Sequence, residues 1–344
     1  DQMQGWTHRP AGDVHISSNH ISNRSEAHFQ KYSRSFSTFK WSDAKEIKRA
    51  GVGRSPCVTR DRFWTDSALH FIDDFFNSAY YDREQGQKPL LLKVSLLQPH
   101  YPYQTDHDKF TYYLNRVAPY LDQLVFPHPF LSQRQVRPGT DASEREIRRA
   151  TAAYQEVLEA LTHVGENLDE WIIVYTSDHG EMLGEHGIWE KQKFFEASVR
   201  VPLIIRYPER FEAKVIDQNV NLCDLFATLC HLAGIPCPSG LDSRTLVPLM
   251  EGCTENWANE TVSQFGKTNL MIKKDHLKYQ DYGVNGKEVL FDLHRDPSET
   301  QNFIDDPDYV ESVSWFRQRL SQLGHGPKAD PNYVNAGYTS DLRA

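Results

Sequence analysis

The chain has 344 residues, of which 39% are hydrophobic and 25% are charged, a composition typical of folded globular proteins that excludes disorder as the main state. Its formal net charge of −9 provides no overall positive field, so we expect no nucleic acid partner. No window of about 18 apolar residues occurs, which predicts no membrane span, and residues 1–30 lack the apolar stretch of a secretory signal, as in an internal segment.

Residues 1–252 alternate between helical and strand-like patterns. After a polar stretch over residues 1–60, apolar residues at three- and four-residue spacing predict helices over 64–76, 141–168 and 221–233. Nearly continuous apolar runs predict buried strands over 90–97, 171–176 and 201–207. A Tyr- and Pro-rich stretch over 101–140 predicts a long ordered loop. This order predicts an α/β domain with a largely parallel or mixed sheet flanked by helices.

The pattern changes after Gly252. Short β-prone runs separated by Gly, Asn and Asp predict a small antiparallel sheet, with strands over 261–265, 270–273, 277–282 and 288–293. A helix is predicted over 309–323, followed by a Pro- and Gly-rich tail. We therefore expect a main α/β domain over residues 1–252, a C-terminal α+β subdomain over 253–325 and a tail over 326–344.

The sequence Ser-Asp-His-Gly follows the predicted strand 171–176 directly. Ligands of parallel sheets bind at the carboxyl ends of strands, so Asp178 and His179 lie where a site is expected. A carboxylate and an imidazole side by side can both ligate a divalent cation. The alternative is a local Asx-type turn that leaves the histidine on the surface.

Other candidate residues lie close to the same predicted edge. The loop over residues 181–200 carries His186 and Lys191, with Lys193 as a second lysine, and could place a cation over an oxyanion. The alternative is a solvated charged loop. His100 follows the strand 90–97 and shares the edge if the strands are parallel, although a lone histidine is more often packed than functional.

Three segments in the right order carry a family resemblance: LLLKVSLLQPHYPY at 90–103, VYTSDHGEMLGEHGIWEKQKFFEASVRVPLIIRYP at 174–208 and LFDLHRDPSETQN at 290–302. Together they resemble the type I, formylglycine-dependent sulfatases of the alkaline phosphatase superfamily. The resemblance implies an alkaline phosphatase-like fold and the hydrolysis of a sulfate monoester on a sulfated small molecule or glycan, with sulfated carbohydrate preferred. It favours a periplasmic, secreted or lysosomal location.

The resemblance also implies roles for individual residues. Asp178 and His179 match two ligands of the family's calcium ion, for which Mg²⁺ or Mn²⁺ is an alternative. Lys191 matches the lysine that contacts the sulfate or the bridging oxygen. His100 matches the histidine that touches the sulfate or protonates the leaving group, and His186 is implied to shape the substrate pocket.

The sequence departs from the family pattern at the nucleophile. The family motif Cys/Ser-x-Pro/Ala-x-Arg is absent, because Cys57 is followed by Val-Thr-Arg with the arginine one place too early. The sequence therefore resembles the C-terminal portion of such an enzyme and is expected to be inactive alone, with an N-terminal segment or chain supplying the nucleophile. Two alternatives stay open: a phosphonate monoester or phosphodiester hydrolase, and a noncatalytic sulfated-glycan-binding protein.

Overall fold

The computed structural model of the protein describes residues 51–52, 56–78, 90–96, 104–105, 107–108, 111, 128, 165–182, 185–187, 191, 194–266, 269–283 and 287–325. The chain divides into two compact units, Asp1–Tyr120 with Gly139–Trp171, and Leu121–Pro138 with Ile172–Ala344. The predicted boundary at residues 252 and 253 stays a prediction. Within the described ranges, no helix has the length and apolar character needed to cross a membrane.

The first unit contains helix α1, Pro56–Phe76. Ala68, Ile72 and Phe76 are buried at four-residue spacing, which places them on one face of the helix. The helix begins before the predicted start at residue 64 because proline is a favourable first helical residue. Its first turns carry no periodic apolar signal from which a sequence pattern could detect them.

Residues 90–96 do not form the predicted buried strand. Leu90, Leu92 and Val94 pack against the cluster around Ile72, whereas Leu91 is 65% exposed. The segment is therefore covered on one side only, and none of the described residues provides it with a strand partner. The described pair in this unit is parallel, between β1, Gly51–Val52, and β2, Gln104–Thr105, and β2 falls within the predicted loop.

In the second unit, β3, Ile173–Thr176, pairs with β4, Leu203–Arg206, in antiparallel orientation. This pair is compatible with the mixed form of the predicted sheet and not with an all-parallel one. The described part of the connection contains only a 3₁₀ turn, Glu185–Gly187, and a one-turn helix α2, Glu196–Val199, so the chain reverses without a crossover helix. Because the strands are antiparallel, the end of β3 and the start of β4 lie at the same edge, with Thr176 opposite Leu203.

Two further helices follow β4 along the chain. Helix α3, Asp224–Leu232, lies within the predicted range 221–233 and is followed by Gly234 with φ of +66°, a conformation that glycine adopts without strain. Helix α4, Val247–Met250, buries its apolar side chains against alternate residues of β4, Leu203 and Ile205. The helix predicted over 141–168 lies outside the described residues up to position 164, as does the tail over 326–344.

The predicted C-terminal antiparallel sheet and helix are confirmed. The sheet has the order β5, β6, β7, β8 and is antiparallel throughout, with strands Glu260–Phe265, Asn269–Lys274, Leu277–Tyr282 and Glu288–Asp292. Helix α5, Val310–Gln322, packs on one side of it.

Alternation along these strands creates two faces. We call the side that packs on α5 the helix face; its buried members include Leu270, Ile272, Tyr279, Leu290 and Phe316. We call the opposite side, which packs on Met182 and the chain around α2, the loop face; its apolar members include Met271, Tyr282, Val289 and Phe291.

Candidate active site

Asp178 and His179 emerge directly from the end of β3, and their side chains approach each other. The distance from Asp178 Oδ2 to His179 Nε2 is 3.7 Å, with 86% of the Asp178 side chain and 37% of the His179 side chain exposed. Asp178 Oδ1 accepts a hydrogen bond from the His179 backbone N–H at 3.0 Å. This donor belongs to the next residue, whereas an Asx-type turn uses the N–H two residues on, so the bond is not the turn of the alternative interpretation.

The backbone fixes the tautomer of His179. Its Nδ1 lies 2.7 Å from the carbonyl oxygen of Gly180, and because a carbonyl only accepts, Nδ1 carries the hydrogen. The lone pair is then on Nε2, beside the Asp178 carboxylate. Metal-binding histidines commonly hold their second ring nitrogen in this way, so the donor pair fits a divalent cation.

Asp178 and His179 are the only candidate metal ligands that the described residues bring together. No group of three or more His, Cys, Asp or Glu side chains within the described ranges is arranged to hold a metal ion. His100, the predicted catalytic histidine, and Lys193 lie outside those ranges.

Gly180 sits against the backbone of α2. Its N–H donates to Ser198 O at 2.8 Å. A Cβ atom at this position would lie 2.0 Å from Ala197 O and 2.9 Å from its carbonyl carbon, so only glycine allows this approach. The position of the His179 ring, through Gly180, therefore depends on where α2 lies.

The loop residues His186 and Lys191 are buried, not solvated. His186 is 5% exposed and Lys191 is 7% exposed. The His186 ring lies 4.5 Å from the ring of Phe195, measured between centroids, and its backbone has φ of +54°. These values disagree with the alternative of a solvated charged loop.

A cavity of 1530 Å³ has three of the predicted residues in its extensive lining. Asp178, His179 and Lys191 all line it, and His186 is not part of its lining. The cavity thus combines a carboxylate, an imidazole and a buried cationic side chain, which is a donor set suited to an anion held beside a metal ion.

His128 is a buried residue that the sequence did not single out. It is 2% exposed, with Nε2 3.1 Å from Gln280 Oε1 and its ring 4.9 Å from that of Phe195. Burial lowers the pKa of His128 to about 4, although the Gln280 contact opposes the shift, and nearby His186 lowers the pKa further. The imidazole is therefore neutral at physiological pH. Its only sequence signal is a position between two prolines in Phe-Pro-His-Pro-Phe.

A second set that the sequence did not reveal is the buried charge cluster, which we define as Lys278, Glu196 and Glu299. Lys278 is fully buried and Glu299 is 1% exposed. Burial works to raise the pKa of Glu196, but Lys278 and Lys273 together outweigh it and leave that pKa below its ordinary value. For Glu299, burial outweighs the attraction of Lys278, so its pKa is raised.

Comparisons with known proteins give the family. The sequence profile of the family described as Sulfatase matches residues 14–235, and the profile described as N-sulphoglucosamine sulphohydrolase, C-terminal, matches residues 184–326. The chain is 28% identical over 291 residues to an arylsulfatase of Clostridium perfringens, covering 74% of this chain and 58% of that protein. It spans about half to two thirds of the length of the curated relatives that it matches.

Solved structures agree on the fold. A phosphonate monoester hydrolase of Agrobacterium radiobacter superposes with a TM-score of 0.66 at 23% identity, over 89% of this chain and 68% of that one. A protein solved in complex with its substrate D-glucosamine-2-N,6-O-disulfate superposes with a TM-score of 0.61 at 18% identity, over 77% and 69% of the two chains. Since the sulfatase profile covers well over half of the residues, the chain belongs to the sulfatase family, the type I sulfatases of the alkaline phosphatase superfamily.

Proposed function

We propose that this chain forms the metal-binding and sulfate-binding part of an enzyme that hydrolyses a sulfate monoester on a sulfated carbohydrate. The observation that supports the proposal is the approach of the Asp178 carboxylate to the His179 imidazole, 3.7 Å apart, in the lining of a cavity that buried Lys191 also lines. Calcium is the proposed ion, with Mg²⁺ or Mn²⁺ as alternatives, because the family implies a divalent cation.

In this mechanism the protein places positive charge, from a bound cation and from Lys191, beside the sulfate group. When bound, the cation supplies positive charge that offsets the sulfate oxygens. Asp178 and His179 hold it, with His179 presenting Nε2 because Gly180 O fixes the tautomer. Lys191 contributes a positive charge from a side chain only 7% exposed, where little water screens it. These groups need no reorganisation during the reaction, which makes electrostatic stabilisation effective.

The remaining roles are assigned to residues outside the described ranges or outside the cavity lining. We assign His100 to contact with the sulfate or protonation of the leaving group, and His186 to shaping the substrate pocket. The formylglycine nucleophile is assigned to an N-terminal segment or chain beyond the given sequence. The match to the N-sulphoglucosamine sulphohydrolase profile supports a sulfated sugar as substrate, met in the periplasm, outside the cell or in a lysosome.

Alanine variants of Asp178 and Lys191 in the complete protein test the proposal. Removing one electrostatic donor of this kind costs on the order of a hundredfold to a thousandfold in turnover, so we expect at least a hundredfold loss on 4-nitrophenyl sulfate and on a sulfated monosaccharide. Lys214→Ala is the matched control, because Lys214 lines the same cavity but is exposed. Turnover by Asp178→Ala or Lys191→Ala equal to the wild-type rate would remove that residue from the mechanism.

The likeness to a phosphonate monoester hydrolase supports a second candidate function. Rates of the wild-type protein on an aryl sulfate and on an aryl phosphonate monoester, measured under the same conditions, separate the two. Preference for the phosphonate would replace the sulfatase proposal. Tight binding of a sulfated oligosaccharide without turnover of either ester would instead favour the noncatalytic alternative.

A further inference from the structure

The buried charge cluster joins the C-terminal sheet to the loop that carries the site. Lys278 on β7 donates to Phe194 O at 2.9 Å, and its Nζ lies 2.6 Å from Glu196 Oε1 and 2.7 Å from Glu299 Oε1. An ammonium group has three N–H donors, so these three acceptors use all of them. Two of the acceptors, Phe194 O and the Glu196 carboxylate, belong to the chain that follows Lys191.

Glu299 also holds the start of α2. Its Oε2 accepts a hydrogen bond from the Glu196 backbone N–H at 2.6 Å. Phe195, the residue at the N-terminal cap of α2, makes no side-chain capping bond, so Glu299 supplies the acceptor from another part of the chain. A carboxylate near the first N–H groups of a helical turn is electrostatically favourable. The beginning of α2 is thus fixed by the C-terminal sheet.

The end of α2 leads back to the metal ligand. Ser198 O accepts from the Gly180 N–H, and Gly180 O accepts from His179 Nδ1. The close approach at Gly180 leaves no room for a side chain, so a displacement of α2 is transmitted to Gly180. Hydrogen bonds linked by the backbone of α2 and of Gly180 therefore connect Lys278 and Glu299 to the imidazole.

Stability alone is a weak explanation for this arrangement. Removing two charges from water costs several kcal/mol per ion, and replacing a buried ion pair with apolar residues of similar volume is often neutral or stabilising. The loop face already contains large apolar residues that could fill such a position. The charged groups differ from apolar ones in that they can hold backbone atoms of a neighbouring loop in a defined place.

We propose that Lys278, Glu299 and Glu196 act as positioning residues for His179, so that the C-terminal sheet sets the geometry of a cation-binding side chain. This inference rests on the proposed function, because it assumes that His179 binds a cation. It also gives a role to Glu299, the last residue of the Asp-Pro-Ser-Glu sequence at 296–299 that contributes to the family resemblance.

The test uses the complete protein with the double substitution Lys278→Met and Glu299→Leu. The substitution removes one positive and one negative charge and leaves Glu196 paired with Lys273 at 3.4 Å, so no charge of the cluster loses every partner and the variant is expected to fold. Calcium titrated into the metal-free protein, followed by calorimetry, should bind about tenfold more weakly than to the wild type, as is usual when support for a metal ligand is lost. Asp292→Asn is the matched control, since Asp292 is a buried carboxylate on β8 that bonds Tyr309 on the helix face.

Hydrogen exchange provides a second measurement that does not depend on a metal. In the double variant, amides of the segment 177–200, including those of Gly180 and Glu196, should exchange at least tenfold faster, whereas Asp292→Asn should leave them unchanged. Unchanged exchange in this segment, or calcium affinity within twofold of the wild type, would overturn the positioning role. If the wild-type protein bound none of Ca²⁺, Mg²⁺ and Mn²⁺, the proposed function would fail instead, and the exchange comparison would still decide the role of the cluster.

Discussion

The two faces of the β5–β8 sheet differ in what their buried polar side chains contact: Asp292 on the helix face bonds Tyr309 of the same cluster, whereas Lys278 on the loop face bonds the backbone of the loop beside the site. On the helix face, apolar residues from three strands meet α5, and the Tyr279 ring stacks on that of Phe316 with 5.2 Å between centroids. On the loop face, apolar residues share the interior with Lys278, Gln280 and His128, all at most 2% exposed. Strand alternation produces both faces from the same sequence segments.

This difference indicates that the two faces of the sheet have different structural roles. Apolar burial is nondirectional and contributes about 25 cal/mol for each Å² removed from water, so the helix face serves mainly to hold the sheet and helix together. Hydrogen bonds and ion pairs are directional, and those of the loop face end on backbone atoms beside the site. We therefore expect substitutions on the helix face to change the free energy of unfolding, and substitutions on the loop face to change the geometry of the candidate active site.

The largest expected effect is on stability, from Phe316→Ala. Phe316 is 1% exposed, and truncation of a buried phenylalanine costs about 3 to 5 kcal/mol of the free energy of unfolding. Denaturant titration of the complete protein measures this loss. Calcium affinity of the folded variant should remain that of the wild type, and a tenfold weaker affinity would mean that the helix face also controls the site.

The second prediction concerns Gly180, where we expect the main effect on turnover. In Gly180→Ala the new Cβ would meet Ala197 O, so the backbone must shift. A displacement of about 1 Å can cost on the order of a hundredfold in turnover, which we expect on an aryl sulfate, while the crowding lowers the unfolding free energy by about 1 to 3 kcal/mol.

Gly234→Ala is the control for that substitution. Gly234 has φ of +66° and no atom within 4 Å of a built Cβ, so alanine there is strained without crowding anything. We expect a loss of about 1 kcal/mol in stability with turnover retained. Equal turnover in the Gly180 and Gly234 variants would contradict the contact between Gly180 and α2.

The regular part of this architecture was readable from the sequence. Short β-prone runs and turn residues predict all four strands of the C-terminal sheet, and the helix predicted over 309–323 matches α5 to within one residue at each end. The sequence also places Asp178 and His179 after a predicted strand, and they do follow β3, whereas their role as metal ligands stays a prediction. These features depend on neighbours in the chain, and a sequence window contains them.

The loop face could not be read in the same way. Lys278 and Phe194 are 84 residues apart along the chain, so no local sequence pattern predicts the hydrogen bond between them. Lysine and glutamate are also normally exposed, and a window around Lys278 therefore suggests a surface strand. The strand prediction for residues 90–97 was wrong for a related reason. An apolar run indicates that a segment is buried, but it does not indicate which backbone pairs with it.

The third prediction concerns pH and His128. Its pKa is about 4 in the folded protein against an ordinary 6.5, so the unfolded chain takes up the proton first as the pH falls. The stabilisation is present above pH 6.5 and is lost towards pH 4. Between pH 6.5 and 5 this amounts to about 2 kcal/mol.

Denaturant titrations at pH 6.5 and pH 5, on the wild type and His128→Gln, measure this contribution. Other groups also titrate over this range, so the informative quantity is the difference between the two pH dependences. The variant should lose less stability than the wild type on acidification. Equal losses would show that burial of His128 is not coupled to folding.

The smallest expected effect comes from an ion pair at the rim of the helix face. Arg317 contacts Glu288 with Nε 2.9 Å from Oε1, but the Arg317 side chain is 58% exposed, and exposed pairs contribute about 0 to 1 kcal/mol. We expect Arg317→Ala to lower the unfolding free energy by less than about 1 kcal/mol, and less still in high salt, because ions screen the pair. A loss of about 3 kcal/mol, as for a broken buried pair, would mean that charged contacts stabilise both faces and that the loop face is not distinct.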